Sequence, residues 1–182
     1  MAKLGVIPQM IPGGDVYISL EKGTIDGAEW IGPWPDISMG LDQVADYYYH
    51  PGFHEPSSNL TLGINKTLWD GLSGSERTLI ETAARAEFVS SLAEFNAENV
   101  KWLKILRANE RIKIRRFDDA LLKVLAKVSA ETLADQAAKD LQTRKVYDSY
   151  TGFMAEMIDW GELAETGYSN ARRLVLGSRR QL

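Results

Sequence analysis

Glu29 and Trp30 stand side by side in an otherwise apolar segment, Leu-Glu-Lys-Gly-Thr-Ile-Asp-Gly-Ala-Glu-Trp-Ile-Gly-Pro-Trp at residues 20–34. Residues 25–31 of it read as a buried strand. A carboxylate buried in a strand is costly unless something pairs with it. An acid beside an indole, after a glycine-bounded turn, therefore points to binding of a small polar ligand or a cation. A carboxylate oxygen and a backbone carbonyl are the donors a hard cation takes. Such a cation can bridge to an anion that Glu29 alone would repel. A strand-end glutamate in water beside a core tryptophan is the plainer reading of the same pair.

Little else in the chain competes for chemistry. There is no cysteine, which excludes thiol catalysis, cysteine-held zinc and iron–sulfur clusters. The two histidines, His50 and His54, are too few for most histidine metal sites. Gly13-Gly14 is too short for a dinucleotide fingerprint. Asp26, Glu29 and Glu55 can be drawn as an acid and base pair of a small hydrolase, but no companion motif fixes their separation. A net charge of −4 argues against a nucleic-acid partner. The 182 residues are 45% hydrophobic, enough for a real core, without an apolar run that would span a membrane. The first residues, Met-Ala-Lys-Leu-Gly, lack the apolar stretch of a signal peptide.

The elements that must position these residues fall into two compositions. Residues 1–72 are rich in glycine, proline and aromatics and form an α/β portion; residues 73–182 are mainly helical with one short strand, within the same structural unit. Asp15 is placed to cap a helix over 16–22, with Gly23 as its C′ glycine. A short helix is expected over 35–45, a strand over 46–50 and another strand over 59–65. In the strand at 46–50, Tyr47 and Tyr49 face opposite to Tyr48. Ser73-Gly-Ser-Glu76 is a capping box. The helix it opens runs to about residue 108, long enough that a bend or break is expected. Its predicted buried face is Leu79, Ile80, Ala83, Phe88, Leu92, Phe95, Trp102, Leu103 and Leu106. A strand follows at 112–117, then a helix from 120 capped by Asp118, and further helices at 131–141 and 145–175. The last is amphipathic, with Met154, Met157, Ile158, Trp160 and Leu163 along it, and ends in Arg172, Arg173, Arg179 and Arg180.

Four separated stretches carry a family resemblance: Gly-Gly-Asp-Val-Tyr at 13–17, residues 20–30, Tyr-Tyr-Tyr-His-Pro-Gly-Phe-His-Glu-Pro at 47–56 and Arg-Lys-Val-Tyr-Asp-Ser-Tyr at 144–150. In this order they resemble the TRAP-transporter solute receptors of the DctP family, and within it the 2-oxo-acid-binding branch. The resemblance implies an α/β fold, the C-terminal part of a two-lobed, type II-like periplasmic binding protein with long C-terminal helices. It implies a periplasmic receptor that binds a small carboxylate, a 2-oxo acid such as pyruvate, and hands it to TRAP membrane permease subunits; no bond is made or broken. It places the family's ligand-binding arginine upstream of Met1, so the chain is expected to be a fragment of such a receptor.

By the same resemblance Glu29 and Trp30 help hold a sodium ion and the ligand carboxylate, Trp30 through its backbone carbonyl and its ring. Glu55 is expected near the cleft, or else in water; His54 matches an aromatic and is expected to pack. Trp34, Phe53 and one face of Tyr47–Tyr49 are candidate apolar walls, and Gln9 is a candidate amide donor. The C-terminal helix is associated in that branch with swapped dimers, which makes it a candidate homodimer surface. The rival readings are a dimerising remnant that binds no ligand and, behind it, the carboxylate hydrolase.

Overall fold

The computed structural model describes residues 1–53 and 60–177. They divide into two compact units, Met1–Asp119 and Ala120–Leu182. The composition shift at Ser73 marks the start of the longest helix, inside the first unit.

The first unit opens with a single 3-10 turn and an extended stretch, then α1 (Gly13–Glu21). Pro12 stands at the N-cap and Asp15 lies in the first turn, where a negative charge suits the helix dipole; Asp15 is not itself the cap. Gly23 adopts φ 65°, the left-handed conformation that ends a helix and that glycine takes without strain.

The strand expected over 25–31 does not form. Residues 24–31 run as bends and coil, and Asp26 to Glu29 are exposed. The expected helix over 35–45 is two short pieces, α2 (Pro33–Ser38) and α3 (Leu41–Val44), parted by Gly40 at φ 73°. Pro33 begins α2 where a missing N–H costs nothing. Of the strand expected over 59–65, residues 60–65 are coil; residue 59 lies outside the described residues. Asn65 instead caps α4 (Lys66–Gly71), accepting from the Leu68 amide.

β1 (Tyr47–His50) and β2 (Lys113–Arg116) pair in parallel, Tyr47 beside Lys113 and His50 beside Arg116. Parallel pairing needs a long crossover. α4 and α5 (Gly74–Ala108) supply it. The capping box at the head of α5 is fully made: the Ser73 hydroxyl accepts from the Glu76 amide, and the Glu76 carboxylate accepts from the Ser73 amide at 2.8 Å. No break interrupts its 35 residues. Its cover is deepest in the C-terminal half, with Leu106 at 2% exposure and Phe95, Trp102 and Leu103 half-buried. Of the rest of the predicted buried face, Ile80 is half-buried, near where α4 meets the helix through Arg77 and the Trp69 and Asp70 carbonyls, while Leu79, Phe88 and Leu92 are 58–70% exposed.

The helix expected from residue 120 and the one expected at 131–141 are a single helix, α6 (Asp119–Ala137). The next begins earlier than the apolar pattern suggested: Asp140 accepts from the Thr143 amide and caps α7 (Leu141–Gly161). One π-helical stretch (Glu162–Thr166) joins α7 to α8 (Gly167–Leu176), so the helix read over 145–175 is longer and carries a wide turn inside it. Its apolar residues stand open, Trp160 at 62% and Leu163 at 83% exposure. Arg172 and Arg173 lie on α8; Arg179 and Arg180 fall outside the described residues.

Candidate functional site

Glu29 and Trp30 sit in the coil that leads into α2, not in a strand, and Glu29 is exposed. The premise of a buried carboxylate therefore falls. The turn is ordered by side chains instead of a ladder. Asp36, in α2, accepts from the Ile31 amide at 3.1 Å and the Gly32 amide at 3.0 Å through one carboxylate oxygen. Its other oxygen accepts from the Tyr48 hydroxyl at 2.7 Å, which ties the turn to β1. Burial, then the Asp36 charge and hydrogen bond, push the Tyr48 hydroxyl well above the ordinary tyrosine range. Asn99, on α5, accepts from the Trp34 amide at 3.0 Å.

Close approach explains two glycines here. A Cβ on Gly13 would lie 2.6 Å from the Trp30 ring, so the indole seats on the first turn of α1 only because Gly13 has no side chain. A Cβ on Gly32 would lie 3.1 Å from the Asn99 carboxamide oxygen. Gly32 has an extended φ of 166°, so space and not backbone conformation is what it provides. The Trp30 indole N–H is buried in this seat with no acceptor.

The other candidates scatter. Trp34 packs on Phe95 of α5, ring centroids 4.9 Å apart, and braces the turn from beneath. Phe53 meets Phe117 edge-on at 5.8 Å, and Phe117 stacks on Tyr49 at 5.0 Å, an aromatic cluster at the far end of the ladder. Tyr47 and Tyr49 share the opposite face from Tyr48, as the strand period requires. Gln9 is exposed in the coil before α1. Glu55 and His54 lie outside the described residues. Glu29, Trp30 and Trp34 are thus brought into one turn, while Phe53 belongs to the ladder's aromatic end. Sequence reasoning missed Asp36 and Asn99, and read Tyr48 only as a candidate apolar wall. An Asp four residues after a glycine at a helix start was the one local signal; the other two act across the fold.

Glu29 and the Trp30 carbonyl are oxygen donors, the chemistry that sodium and calcium take. Among the described residues no three acidic or histidine side chains converge to hold a metal ion. Any cation held at this turn would draw its remaining oxygens from the ligand, backbone or water.

Residues 1–140 match the bacterial extracellular solute-binding proteins of family 7, the DctP family. The chain belongs to this family. A monocarboxylate 2-oxoacid-binding periplasmic protein of Nostoc sp. is 31% identical to this DctP-family chain over 170 residues, 93% of the chain and 46% of the relative. A TRAP-transporter solute-binding protein of Bordetella bronchiseptica, solved as a mixed-occupancy dimer with copurified calcium and picolinate in one active site and the other apo, superimposes with a TM-score of 0.93. It is 33% identical, over 98% of this chain and 53% of its own. A TRAP periplasmic solute-binding protein of Pseudoalteromonas atlantica, solved with sodium and pyruvate, superimposes at 0.87, with 31% identity over 93% of this chain and 51% of its own. The fold is therefore that of the DctP receptors, a helix-rich α/β architecture, and the chain spans about half the length of the relatives it matches. DctP proteins are transport receptors and not an enzyme family, which sets the hydrolase reading behind the binding one.

Proposed function

We propose that this chain carries part of the binding site of a periplasmic TRAP-transporter receptor for a small carboxylate, a 2-oxo acid such as pyruvate. The observation that carries the reading is the turn at residues 29–34. It presents an exposed carboxylate beside an indole and is held by Asp36, Tyr48 and Asn99. Preorganisation of this kind is what lets a few polar groups fix a small ligand. The names of the Nostoc and Pseudoalteromonas relatives, with 2-oxoacid and with sodium and pyruvate, support the same class of ligand.

In this reading Glu29 anchors a sodium ion, with the Trp30 carbonyl as a second oxygen donor. The ion supplies the positive charge that lets an anion approach a glutamate. The Trp30 ring offers an aromatic surface to the carbon skeleton. Trp34, which packs on Phe95 of α5, is assigned an apolar contact to the ligand. Glu55 and Gln9 are assigned polar contacts to the ligand, and Phe53 an apolar one. Delivery to TRAP permease subunits and a homodimer built on the exposed apolar side of α7 and α8 complete the proposal; the Bordetella relative was solved as a dimer.

The test is a titration of the chain with pyruvate in sodium and then in potassium, followed by tryptophan fluorescence. A saturable, sodium-dependent change that Glu29→Gln abolishes supports the reading. Because the chain spans about half of its relatives, affinity below that of a longer receptor is expected. No response in either salt, at any pyruvate concentration the chain tolerates, counts against binding by this chain and favours the dimerising remnant.

A further inference from the structure

The backbone of the turn poses an accounting problem. Residues 27–31 pair with no strand, and Pro33 has no amide hydrogen. The three remaining amides around it, of Ile31, Gly32 and Trp34, all donate to side chains: two to Asp36 and one to Asn99. Asp36 in turn donates its own amide to the Gly32 carbonyl at 2.9 Å, so the two residues grip each other reciprocally. The second Asp36 oxygen is engaged by Tyr48 from β1. The Trp34 amide is met by an α5 residue 65 positions away in sequence. Three elements thus converge on four residues, with contact close enough that a Cβ on Gly32 would lie 3.1 Å from the Asn99 carboxamide oxygen.

We propose that Asp36, Tyr48 and Asn99 are positioning residues for the Glu29 and Trp30 pair, a three-point brace that sets the shape of the turn without touching ligand. Its bearing on ligand affinity rests on the receptor reading above; its bearing on the turn does not. Asp36 is the centre of the brace because a carboxylate accepts three hydrogen bonds at once, two from amides and one from a hydroxyl. Asparagine can keep this arrangement. Its carbonyl oxygen accepts from both amides, and its NH2 donates to the Tyr48 oxygen, which turns from donor to acceptor. Alanine cannot. Asn99 fixes the exit of the turn into α2, and Tyr48 fixes α2 against the ladder.

The experiment compares the wild-type chain with Asp36→Ala, Asp36→Asn, Tyr48→Phe and Asn99→Ala. Backbone amide exchange is read by NMR, and sodium-plus-pyruvate titration by tryptophan fluorescence. The brace requires that Asp36→Ala speed exchange at Ile31 and Gly32 by about tenfold or more, with α5 amides near Leu106 unchanged. It requires that Asn99→Ala do the same at Trp34, and that Asp36→Asn restore protection. In the titration, Asp36→Ala weakens pyruvate by about tenfold or more and Asp36→Asn recovers most of it. Wild-type exchange at these amides in the alanine variants overturns the brace. So does equal acceleration throughout α5, which would make the residues general supports of the fold. Should Asp36→Ala fail to fold, Tyr48→Phe decides, since it removes one hydrogen bond and keeps the ring: unchanged exchange at Ile31 and Gly32 overturns the brace. A wild-type chain blind to pyruvate and sodium sinks the receptor reading alone, and the amide exchange then judges the brace. Released amides with undiminished pyruvate binding overturn the positioning role.

Discussion

Gly13 shows how one missing methyl group can set a tryptophan. The Trp30 ring rests where a Gly13 side chain would be, at 2.6 Å from the position a Cβ would take. Gly13→Ala must move either the ring or the start of α1. A cost of about 1–3 kcal/mol is expected, the usual range for overpacking. The denaturation midpoint should fall, and tryptophan emission should shift to the red as the indole leaves its seat. Unchanged emission and stability would mean that the ring is not held there in solution. The neighbouring titrations make a second prediction at this scale. Tyr48 is held above its ordinary value of 10.0, first by burial and then by Asp36. A raised pKa gives a contribution that is complete below the unfolded value and is lost as pH climbs past it. Glu76 and Asp140 are lowered from 4.5 and 3.8 by hydrogen bonds from Ser73 and from Thr143. Their contributions are present above those values and are lost as pH falls below them. Melting temperature against pH should therefore drop on both sides, and Tyr48→Phe should remove part of the alkaline fall only.

Helix ends were the most legible elements, because a cap is a contract between residues three apart. Ser73 and Glu76 could be read as a box and form one. Replacing Ser73 with alanine should cost about 1 kcal/mol, seen as a lower urea midpoint with unchanged slope. A cost near zero would mean that the head of α5 frays. Gly23 and the strands around Tyr48 and Ile114 were legible for the same local reason: a left-handed glycine and runs of β-formers. Asp140 went unread, since the apolar pattern of α7 begins several residues after its cap. The segment at 25–31 was misread. Ile25, Ala28, Trp30 and Ile31 look like a strand, but a strand needs a partner. Here the Ile31 and Gly32 amides are satisfied by Asp36 and leave nothing for a ladder. Glu29 and Trp30 were picked out by their types alone. Asp36, Tyr48 and Asn99, which shape the turn, become visible only once α2, β1 and α5 are brought together.

Across the whole molecule, apolar residues that periodicity assigned to a core lie open. Phe88 and Leu92 on α5 are 58% and 59% exposed, and the stripe on α7 and α8 is open as well. Faces of this size mark interaction surfaces or association. Light scattering should give a mass that rises with protein concentration. Phe88→Lys with Leu92→Lys should reduce that rise while leaving the melting temperature nearly unchanged, since neither side chain is buried. A large loss of stability in the double variant would show that these residues are covered in solution. Dimers that survive this change but dissociate with Leu163→Lys would assign the association to the C-terminal helices.

The 65-residue span between Trp34 and Asn99 also governs time. α5 can begin to form from its own capping box, through local contacts alone. The turn can take its shape only after a long loop has closed, and closing long loops is slow. On a growing chain, Glu29 and Trp30 leave the ribosome before Asn99 and wait for it to follow. The part of this protein that is proposed to meet the ligand would be made before the residue that finishes it.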